Sequence, residues 1–520
     1  MRTPREIAFR FRQELINLWW YAKPPAAAIQ GELSPRLPAP DACPSFGSAI
    51  HVGPRIRWRR DYARGIETDL RYFRRIPYLD ASRAGDHKII WELNRHQHLV
   101  ALAQAGNLDE IRAQLESWLD QNPFHRGINW ASALEVALRA LSWMWAYLLV
   151  GSRMPAGFRA RWLGALYLHA RHIENNLSFY FSPNTHLLGE ALALHALGLF
   201  FSGRPRAAEW ETVGAKVMRE QMDRQVRADG SHFEQSTYYH VYALDMFRLH
   251  AALAEPGPAY RANLERMTEY LHAVTGPSGS LPLLGDDDGG RLVHPFAVAD
   301  IKPRKWESQL FRDSGTAVMV SGNVHAIVKA GGFGAGSAGH SHADVLSLIL
   351  RHGAEEILID PGTYTYTGDP HWRDWFRGTE AHNTIRVDGL DQGTAAGPFR
   401  WVNPPKVNVL AWQTSAERDI LEAECRFRGF THRRRVEFQK PATFLITDEV
   451  DGPPGEHDIE QLWHLGSLAA QSKLVLAQSA EVVDSWRSTT FGEKRPSPLM
   501  RVHRRCQLPV RLQARIELNR

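Results

Sequence analysis

Cysteine is scarce in this sequence, and its scarcity excludes a disulfide framework. Only three cysteines, Cys43, Cys425 and Cys506, occur in 520 residues, and none belongs to a Cys-x-x-Cys pair. Small secreted domains that lack a large core depend on dense, even-numbered cysteines, and structural zinc knuckles depend on paired ones. The stability of this chain must therefore come from ordinary cores. At this length two domains are expected.

Long uninterrupted apolar runs are lacking as well. The most apolar stretch, residues 131–150, contains Glu135 and Arg139, which predicts a buried helix and no membrane span. The first residues scatter charges among apolar side chains and show no signal-peptide pattern, so we expect an amphipathic helix ended by Pro24 and Pro25. We therefore expect a soluble protein, cytoplasmic, or periplasmic if another route exports it.

A strong excess of one charge is also missing. Lys and Arg number 62 against 57 Asp and Glu, a net charge of +5, which is no signature of nucleic-acid binding. The slight basic balance suits a polyanion, and the 17 Trp and 14 Tyr suit sugar rings, although ordinary cores also contain such aromatics. No nucleic-acid partner is expected, and the sequence does not indicate an oligomeric state.

The hydrophobic period changes along the chain. From about residue 109 to 273, apolar residues recur at helical spacing in segments such as WASALEVALRALSWMWAYLL and THLLGEALALHALGLFF. From residue 315 onward, short alternating runs such as TAVMVSG, VHAIVKAG and TFLITDEV predict β-strands at sandwich spacing. Serial helix pairs favour an (α/α) barrel or toroid, with a plain bundle as the alternative. We expect the boundary within residues 296–312.

Two segments in the helical half carry candidate chemistry. In SPNTHLLGE, Asn184 and His186 stand at the start of a helix, where Ser182 or Asn184 can simply be its cap. The segment DGSHFEQSTYYHVYALDMF crowds polar aromatics and imidazoles together, and a tyrosine beside charged groups can act as general acid or base. A hydrogen-bonded aromatic seam in the core is the alternative. Its members are His232, Glu234, Tyr238, Tyr239, His240 and Tyr242.

Two segments in the β half favour a metal. His340 and His342 in GHSHADVLSL form a His-x-His pair, which places both rings on one face of an extended chain. Asp360 and His382 follow downstream, and two imidazoles with a carboxylate suit zinc. Spacing alone does not show that they meet. The acidic run 286–288 fits a solvated turn, or a sheath of hydrogen bonds around a cleft, better than a catalytic site.

Together these segments resemble the heparinase II/III family of polysaccharide lyases. The resemblance covers about residues 85–450 and rests on seven segments in order. They are WELNRHQHL, NWASALEVALRALSW, SPNTHLLGEALAL, DGSHFEQSTYYHVYALDMF, GHSHADVLSL, the Asp360-Pro-Gly turn and EAHNTIRVDG. It implies an N-terminal (α/α) toroid, residues 1–305, followed by a C-terminal antiparallel β-sandwich, residues 306–520. It also implies β-elimination at a uronic acid of an acidic polysaccharide, leaving a 4,5-unsaturated uronide.

The resemblance assigns roles to the candidate residues. Asn184, with His186, resembles the group that neutralises the substrate carboxylate. Tyr239 resembles the general acid, and also the base when the proton lies on its face of the sugar, and His340 resembles a partner base. His342, Asp360 and His382 resemble the ligands of a structural zinc ion that positions the loop carrying His340. The expected sugar-binding residues are Trp91, Asn94, Arg95, His96, Trp130, Glu234 and His240. Helix packing is the alternative for Trp130 and its neighbours Glu135 and Arg139.

The chain departs from the family pattern in one motif. In many lyases of this type the asparagine and histidine are adjacent, whereas Thr185 separates them here, which puts the role of His186 in doubt. Two other functions stay open. One is an inverting glycoside hydrolase that uses Glu234 and Asp287 as its two carboxylates. The other is a polysaccharide-binding protein without catalysis. The identity of the polysaccharide is not predicted.

Overall fold

The chain forms two compact units in a computed structural model that describes residues 2–27, 33, 36, 55–292 and 305–518. The first unit comprises Met1–Arg224, Tyr242–Arg261 and Gly290–Ala299, and the second comprises Gln225–Val241, Ala262–Gly289 and Asp300–Arg520. Cys43 and residues 296–304 of the expected boundary region lie outside the described residues. The described cysteines, Cys425 and Cys506, are both free thiols.

Helices make up the first unit. The main ones are α1 (Pro4–Ala22), α2 (Ala81–Ala84), α3 (His87–Asn94), α4 (His98–Gln104), α5 (Leu108–Gln121), α6 (Ala133–Val150), α7 (Ala156–Asn176), α8 (Thr185–Phe200), α9 (Ala207–Gln225), α10 (Thr237–Leu253) and α11 (Pro258–Thr275). The helical period read from the sequence is thus confirmed. The first residues of α10 and most of α11 belong to the second unit.

Helix α6 is the core helix that its composition predicts. Together with the next turn, Ala133–Arg153 is long and apolar enough to cross a membrane, and no other helix in the described ranges is. However, 83% of its apolar window is buried inside the protein. Glu135 and Arg139 are also buried, and Glu135 is paired with a cation, as a charge in a protein interior requires.

Antiparallel strands form the second unit, together with a short helix, α12 (Pro370–Arg377). The strands are β1 (Gln309–Phe311), β2 (Thr316–Ser321), β3 (Val324–Lys329), β4 (Leu348–His352), β5 (Glu355–Leu358), β6 (Ile385–Val387), β7 (Thr394–Ala395), β8 (Trp401–Val402), β9 (Lys406–Thr414), β10 (Arg418–Phe427), β11 (Phe430–Gln439), β12 (Thr443–Asp451), β13 (Glu456–His464), β14 (Leu474–Leu476), β15 (Glu481–Thr490), β16 (Glu493–Gln507) and β17 (Val510–Glu517).

These strands pair into three main sheets. The orders are β1-β2-β3-β4-β5, β14-β17-β12-β11-β10-β9 and β15-β16-β13-β6, and β7 pairs with β8 alone. Strand β11 shows the expected alternation, because its buried residues are every second one. The inward side chains of the sheets share one apolar core, which includes Leu350, Phe438 and Trp463. An antiparallel sandwich packed in this way presents its functional residues on the connecting loops.

The second unit also takes two segments from the helical half of the sequence. Residues 225–241 carry Tyr239, and residues 262–289 carry the acidic run 286–288. Both segments lie in the second unit, and all these side chains therefore belong to one compact body. The same unit contains His340, His342, Asp360 and His382.

Candidate active site

Tyr239 lies in the first turn of α10 with its ring stacked on that of His340. The ring centroids are 3.7 Å apart, and the planes are inclined by 23°. The Tyr239 hydroxyl is 3.2 Å from the Tyr366 hydroxyl and donates to Asp288 Oδ2 at 3.5 Å. Burial raises the pKa of Tyr239 well above its usual range, and Tyr366 and Asp288 raise it further. The phenol therefore keeps its proton at neutral pH.

Asp286 is the centre of the site. Its Oδ2 is 3.0 Å from His340 Nδ1, and its Oδ1 is 3.0 Å from His342 Nε2. The guanidinium of Arg373, on α12, donates to the same two oxygens at 2.5 and 2.8 Å. Burial opposes ionisation of Asp286, but Arg373 and the two histidines outweigh it and hold its pKa well below the usual range. Asp286 is thus a fully buried carboxylate.

This carboxylate fixes the tautomers of both histidines. An ionised carboxylate only accepts hydrogen bonds, so Nδ1 of His340 and Nε2 of His342 must carry the protons. In the neutral form of each ring, the lone pair is then on Nε2 of His340 and on Nδ1 of His342. One ring can therefore take up a proton, and the other can bind a cation. A single aspartate prepares the two histidines of the His-x-His pair for different tasks.

Backbone packing holds the acidic run against the His-x-His loop. The Asp286 amide donates to the His340 carbonyl at 3.0 Å, and the Ser236 hydroxyl donates to the Asp286 carbonyl at 2.6 Å. Gly285 has φ +67, and a Cβ there would lie 2.8 Å from the His340 oxygen, so only glycine fits. Asp344 ties the other end of the loop to β3 through Lys329, at 2.7 Å from both carboxylate oxygens.

His342, Asp360 and His382 converge as metal ligands do. Each offers one ligand atom, and these atoms all lie within 4.8 Å of one another; all three side chains are buried. Nδ1 of His342 and Nε2 of His382 are buried without a hydrogen-bond partner in the described part of the chain. His382 Nδ1 is 3.2 Å from Asp360 Oδ2, a contact that orients the ring next to the carboxylate. The three residues can hold a metal ion.

In the first unit, Asn184 is the cap of α8. Its side-chain oxygen accepts from the His186 amide at 3.1 Å, which is the structural alternative considered for this motif. The amide nitrogen of the same side chain is a donor that this contact does not use. His186 lies near Glu135. Burial opposes ionisation of that carboxyl, but Arg95 and, more weakly, His186 lower its pKa.

The other candidates of the first unit are buried and bonded within it. Arg95 forms a two-pronged ion pair with Glu135 at 2.7 and 2.9 Å. Asn94 donates to two backbone carbonyls, and His96 accepts from Trp143 at 2.7 Å. The indoles of two candidates donate to backbone carbonyls; they are Trp91, to Ile128 at 3.1 Å, and Trp130, to Asn122 at 3.4 Å. These contacts account for helix packing, and a role in sugar binding stays a prediction.

Two further candidates lie in the second unit. His240 is buried one residue beyond Tyr239, and its Nε2 is 2.9 Å from the Met267 carbonyl. Burial lowers the pKa of His240 to about 4, so the ring is neutral at neutral pH. Glu234 is buried in the loop before α10, where its backbone contacts Gly334. Sugar binding by either residue also stays a prediction.

Sequence patterns did not reveal the roles of three residues of the site. A solvated turn was one of the two favoured interpretations of Asp286, but its side chain is fully buried; the hydrogen-bonded alternative describes it better. Tyr366 lies six residues after Asp360 and was not among the predicted site residues. Arg373 has no local signal, because an arginine in a short helix is ordinary. Its partner Asp286 is 87 residues away in the chain.

A helical unit, an antiparallel β unit and a site of tyrosine, histidine and aspartate side chains together define the class of this two-domain protein. Comparison with known sequences identifies the family of the chain. The heparinase II/III N-terminus matches residues 48–294, and the heparinase II/III-like C-terminal domain matches residues 303–507. The chain belongs to the heparinase II/III family. Helix α1 precedes the matched region.

Curated relatives include two heparin-sulfate lyases. The one from Pedobacter heparinus is 25% identical over 419 residues, covering 71% of this chain and 61% of that protein. The one from Bacteroides stercoris is 22% identical over 435 residues, covering 71% of this chain and 62% of that protein. The chain thus spans about three fifths of the length of these relatives.

Solved structures show the same fold. A heparinase III structure aligns with a TM-score of 0.68 at 17% identity, covering 81% of this chain and 76% of that one. A heparan sulfate lyase mutant from Pedobacter heparinus aligns with a TM-score of 0.59 at 19% identity, covering 98% and 88%. These likenesses confirm the predicted fold, an N-terminal (α/α) toroid followed by an antiparallel β-sandwich.

Proposed function

We propose that this protein is a polysaccharide lyase that cleaves an acidic, uronic-acid-containing polysaccharide by β-elimination. The observation that carries the proposal is the stacked pair of Tyr239 and His340, 3.7 Å apart, with Asp286 behind the histidine. β-Elimination needs a base for the C5 proton and an acid for the leaving oxygen, and it needs no attacking water. A phenol beside an imidazole supplies both functions.

The environments of the two rings support a division of roles. Tyr239 keeps its proton because burial and the neighbouring Asp288 raise its pKa, which suits a general acid that protonates the departing 4-oxygen. His340 donates through Nδ1 to Asp286, which leaves its Nε2 lone pair to accept the C5 proton. The electrons of the C5–H bond then form the C4–C5 double bond as the C4–O bond breaks. The product is a 4,5-unsaturated uronide.

Neutralisation of the substrate carboxylate is proposed for Asn184 with His186. Hydrogen bonds to this carboxylate stabilise the negative charge that develops when C5 loses its proton. A side-chain amide such as that of Asn184, at the start of α8, carries N–H donors of this kind. The relatives named heparin-sulfate lyases make a sulfated, uronic-acid-containing polymer the first substrate to test.

We also propose zinc as the ion held by His342, Asp360 and His382. Two imidazoles and one carboxylate with unpartnered buried ring nitrogens suit zinc, and Asp286 orients His342 through its other nitrogen. When bound, the ion would supply structural cross-linking and no chemistry at the substrate. His340 lies two residues from one ligand and shares Asp286 with it, so its position depends on the same loop.

The test is a panel of acidic polysaccharides assayed for the ultraviolet absorbance of the new double bond. Wild-type protein should give this absorbance with at least one uronic-acid polymer, and Tyr239→Phe and His340→Asn should give little. Tyr270→Phe is the matched control, because it removes a buried hydroxyl of the same unit that bonds to Thr316. Reducing ends without absorbance would indicate a hydrolase. Binding without any cleavage would indicate a binding protein, and either result would overturn the proposal.

A further inference from the structure

Lys494 places its ammonium group among three aromatic rings. It lies in β16, next to the turn of the β15–β16 hairpin. Its Nζ is 3.7 Å from the ring centroid of Trp486, 4.1 Å from that of Trp372 and 5.7 Å from that of Tyr364. Cation–π attraction explains the geometry but leaves the three N–H donors unused. We call these four residues the Lys494 cage.

The other shielded lysines of the second unit are all paired, as far as the structure describes it. Lys329 pairs with Asp344, Lys440 with Asp419, and Lys473 with Glu355. Partial burial of a cation is unfavourable unless an anion compensates it. Lys494 is half-buried, yet no ion pair or hydrogen bond of its ammonium joins it to any residue in the described ranges. This pattern points to an anion that comes from outside the chain.

The Lys494 cage is built on the same segments as the candidate active site. Trp372 directly precedes Arg373, whose guanidinium holds Asp286. Tyr364 lies two residues before Tyr366, whose hydroxyl contacts that of Tyr239. Phe491, at the tip of the Lys494 hairpin, packs on Tyr366 with ring centroids 5.0 Å apart. The cage and the candidate active site therefore share their supporting segments.

We propose that the Lys494 cage is a binding subsite for an anionic sugar residue of the polysaccharide, next to the one that is cleaved. The ammonium would bind a carboxylate or a sulfate ester, and the half-buried indoles would contact the apolar face of the sugar ring. The proposal rests on the proposed function, because it assumes an acidic polysaccharide as the ligand. Charge, rather than shape alone, is what the subsite recognises.

Binding measured without turnover tests this proposal. In a Tyr239→Phe background, calorimetry would follow the binding of heparin oligosaccharides, unsulfated hyaluronan oligosaccharides and neutral dextran oligosaccharides. Lys494→Met removes the charge and keeps the aliphatic stem, whereas Lys494→Arg keeps the charge. Lys406→Met is the control, since Lys406 is an exposed lysine of the same unit.

We expect Lys494→Met to weaken binding of an acidic oligosaccharide about tenfold and to reduce its salt dependence. Lys494→Arg and Lys406→Met should bind like the parent, and dextran binding should not respond. Loss with heparin alone identifies the sulfate as the ligand, and loss with both acidic probes identifies the carboxylate. Unchanged acidic binding by Lys494→Met, or no binding of either acidic probe by the parent, overturns the subsite.

The same proteins separate this proposal from the proposed function. Chains with Tyr239 intact are assayed in parallel for unsaturated product. If Lys494→Met loses affinity while the wild type forms no unsaturated product, the subsite stands and the lyase proposal fails. If the wild type forms the product and Lys494→Met binds normally but melts at a lower temperature, the lyase stands and the cage is only structural.

Discussion

Replacing Asp286 by asparagine should destabilise the second unit strongly. The side chain of Asp286 is fully buried, that of Arg373 is 1% exposed, and their atoms are 2.5 and 2.8 Å apart. Asparagine has a similar shape but no charge. Its NH₂ group, itself a donor, would face the N–H donors of Arg373 or of the two histidines. Breaking a buried pair from one side leaves an uncompensated charge and costs roughly 3–5 kcal/mol of unfolding free energy. The hydrogen bonds to His340 and His342 would weaken as well, so we expect the loss of unfolding free energy to be at least the lower end of that range.

Urea unfolding of wild type and Asp286→Asn, followed by tryptophan fluorescence, measures this change. Asp374→Asn is the matched control on the same helix, because Asp374 also pairs with an arginine but is 55% exposed. The Asp374 carboxylate faces solvent, and Arg377 keeps its bonds to the Pro398 and Gly397 carbonyls, so the control should lose only about 1 kcal/mol or less. If Asp286→Asn lost less than about 1 kcal/mol as well, the idea that this carboxylate anchors the site would be refuted.

Three further predictions concern other parts of the chain. Tyr239→Phe should lower kcat by roughly 10²–10⁴ while oligosaccharide binding persists, and an equal loss of binding would contradict its role as an acid. His382→Ala should lower both the bound zinc measured by elemental analysis and the melting temperature, and an unchanged zinc content would exclude it as a ligand. Glu190 accepts two bonds from Ser178 at 2.7 Å, and burial raises its pKa to about 8. Because the folded state favours the neutral acid, its stabilisation is complete below pH about 4.5 and is lost as the pH rises to about 8, on the order of 5 kcal/mol. Glu190→Gln should flatten the pH profile of unfolding over this window, and a profile like that of the wild type would contradict the pKa.

The features that local sequence encodes were predicted well. Helical and alternating periods depend on which face of each segment is buried, so they separated the two halves of the chain. The cap at Asn184 is a local motif, and the structure shows it at the expected turn. The His-x-His pair also identified two neighbouring rings, one of which converges with Asp360 and His382.

Contacts between distant segments were not predictable in the same way. Asp286 meets Arg373 across 87 residues, and nothing in an acidic turn or a short helix shows such a pairing locally. The function of crowded aromatic residues is also not predictable from the sequence, because it depends on which distant segments they contact. His96 and Trp143 form a hydrogen-bonded pair in the core of the first unit, and composition does not distinguish such packing from a sugar-binding surface.

The central claim, that the chain cleaves by elimination, is tested most directly by the source of oxygen in the products. A uronic-acid polymer that the protein degrades would be digested in water enriched in heavy oxygen, and the fragments would be weighed by mass spectrometry. Elimination adds no water, so the fragments should sum to the mass of the parent, and brief digestion followed by borohydride reduction, which stops oxygen exchange at the reducing ends, should show no heavy oxygen from solvent. Fragments that together gain one water per cleavage, with heavy oxygen in it, would show hydrolysis and contradict the account.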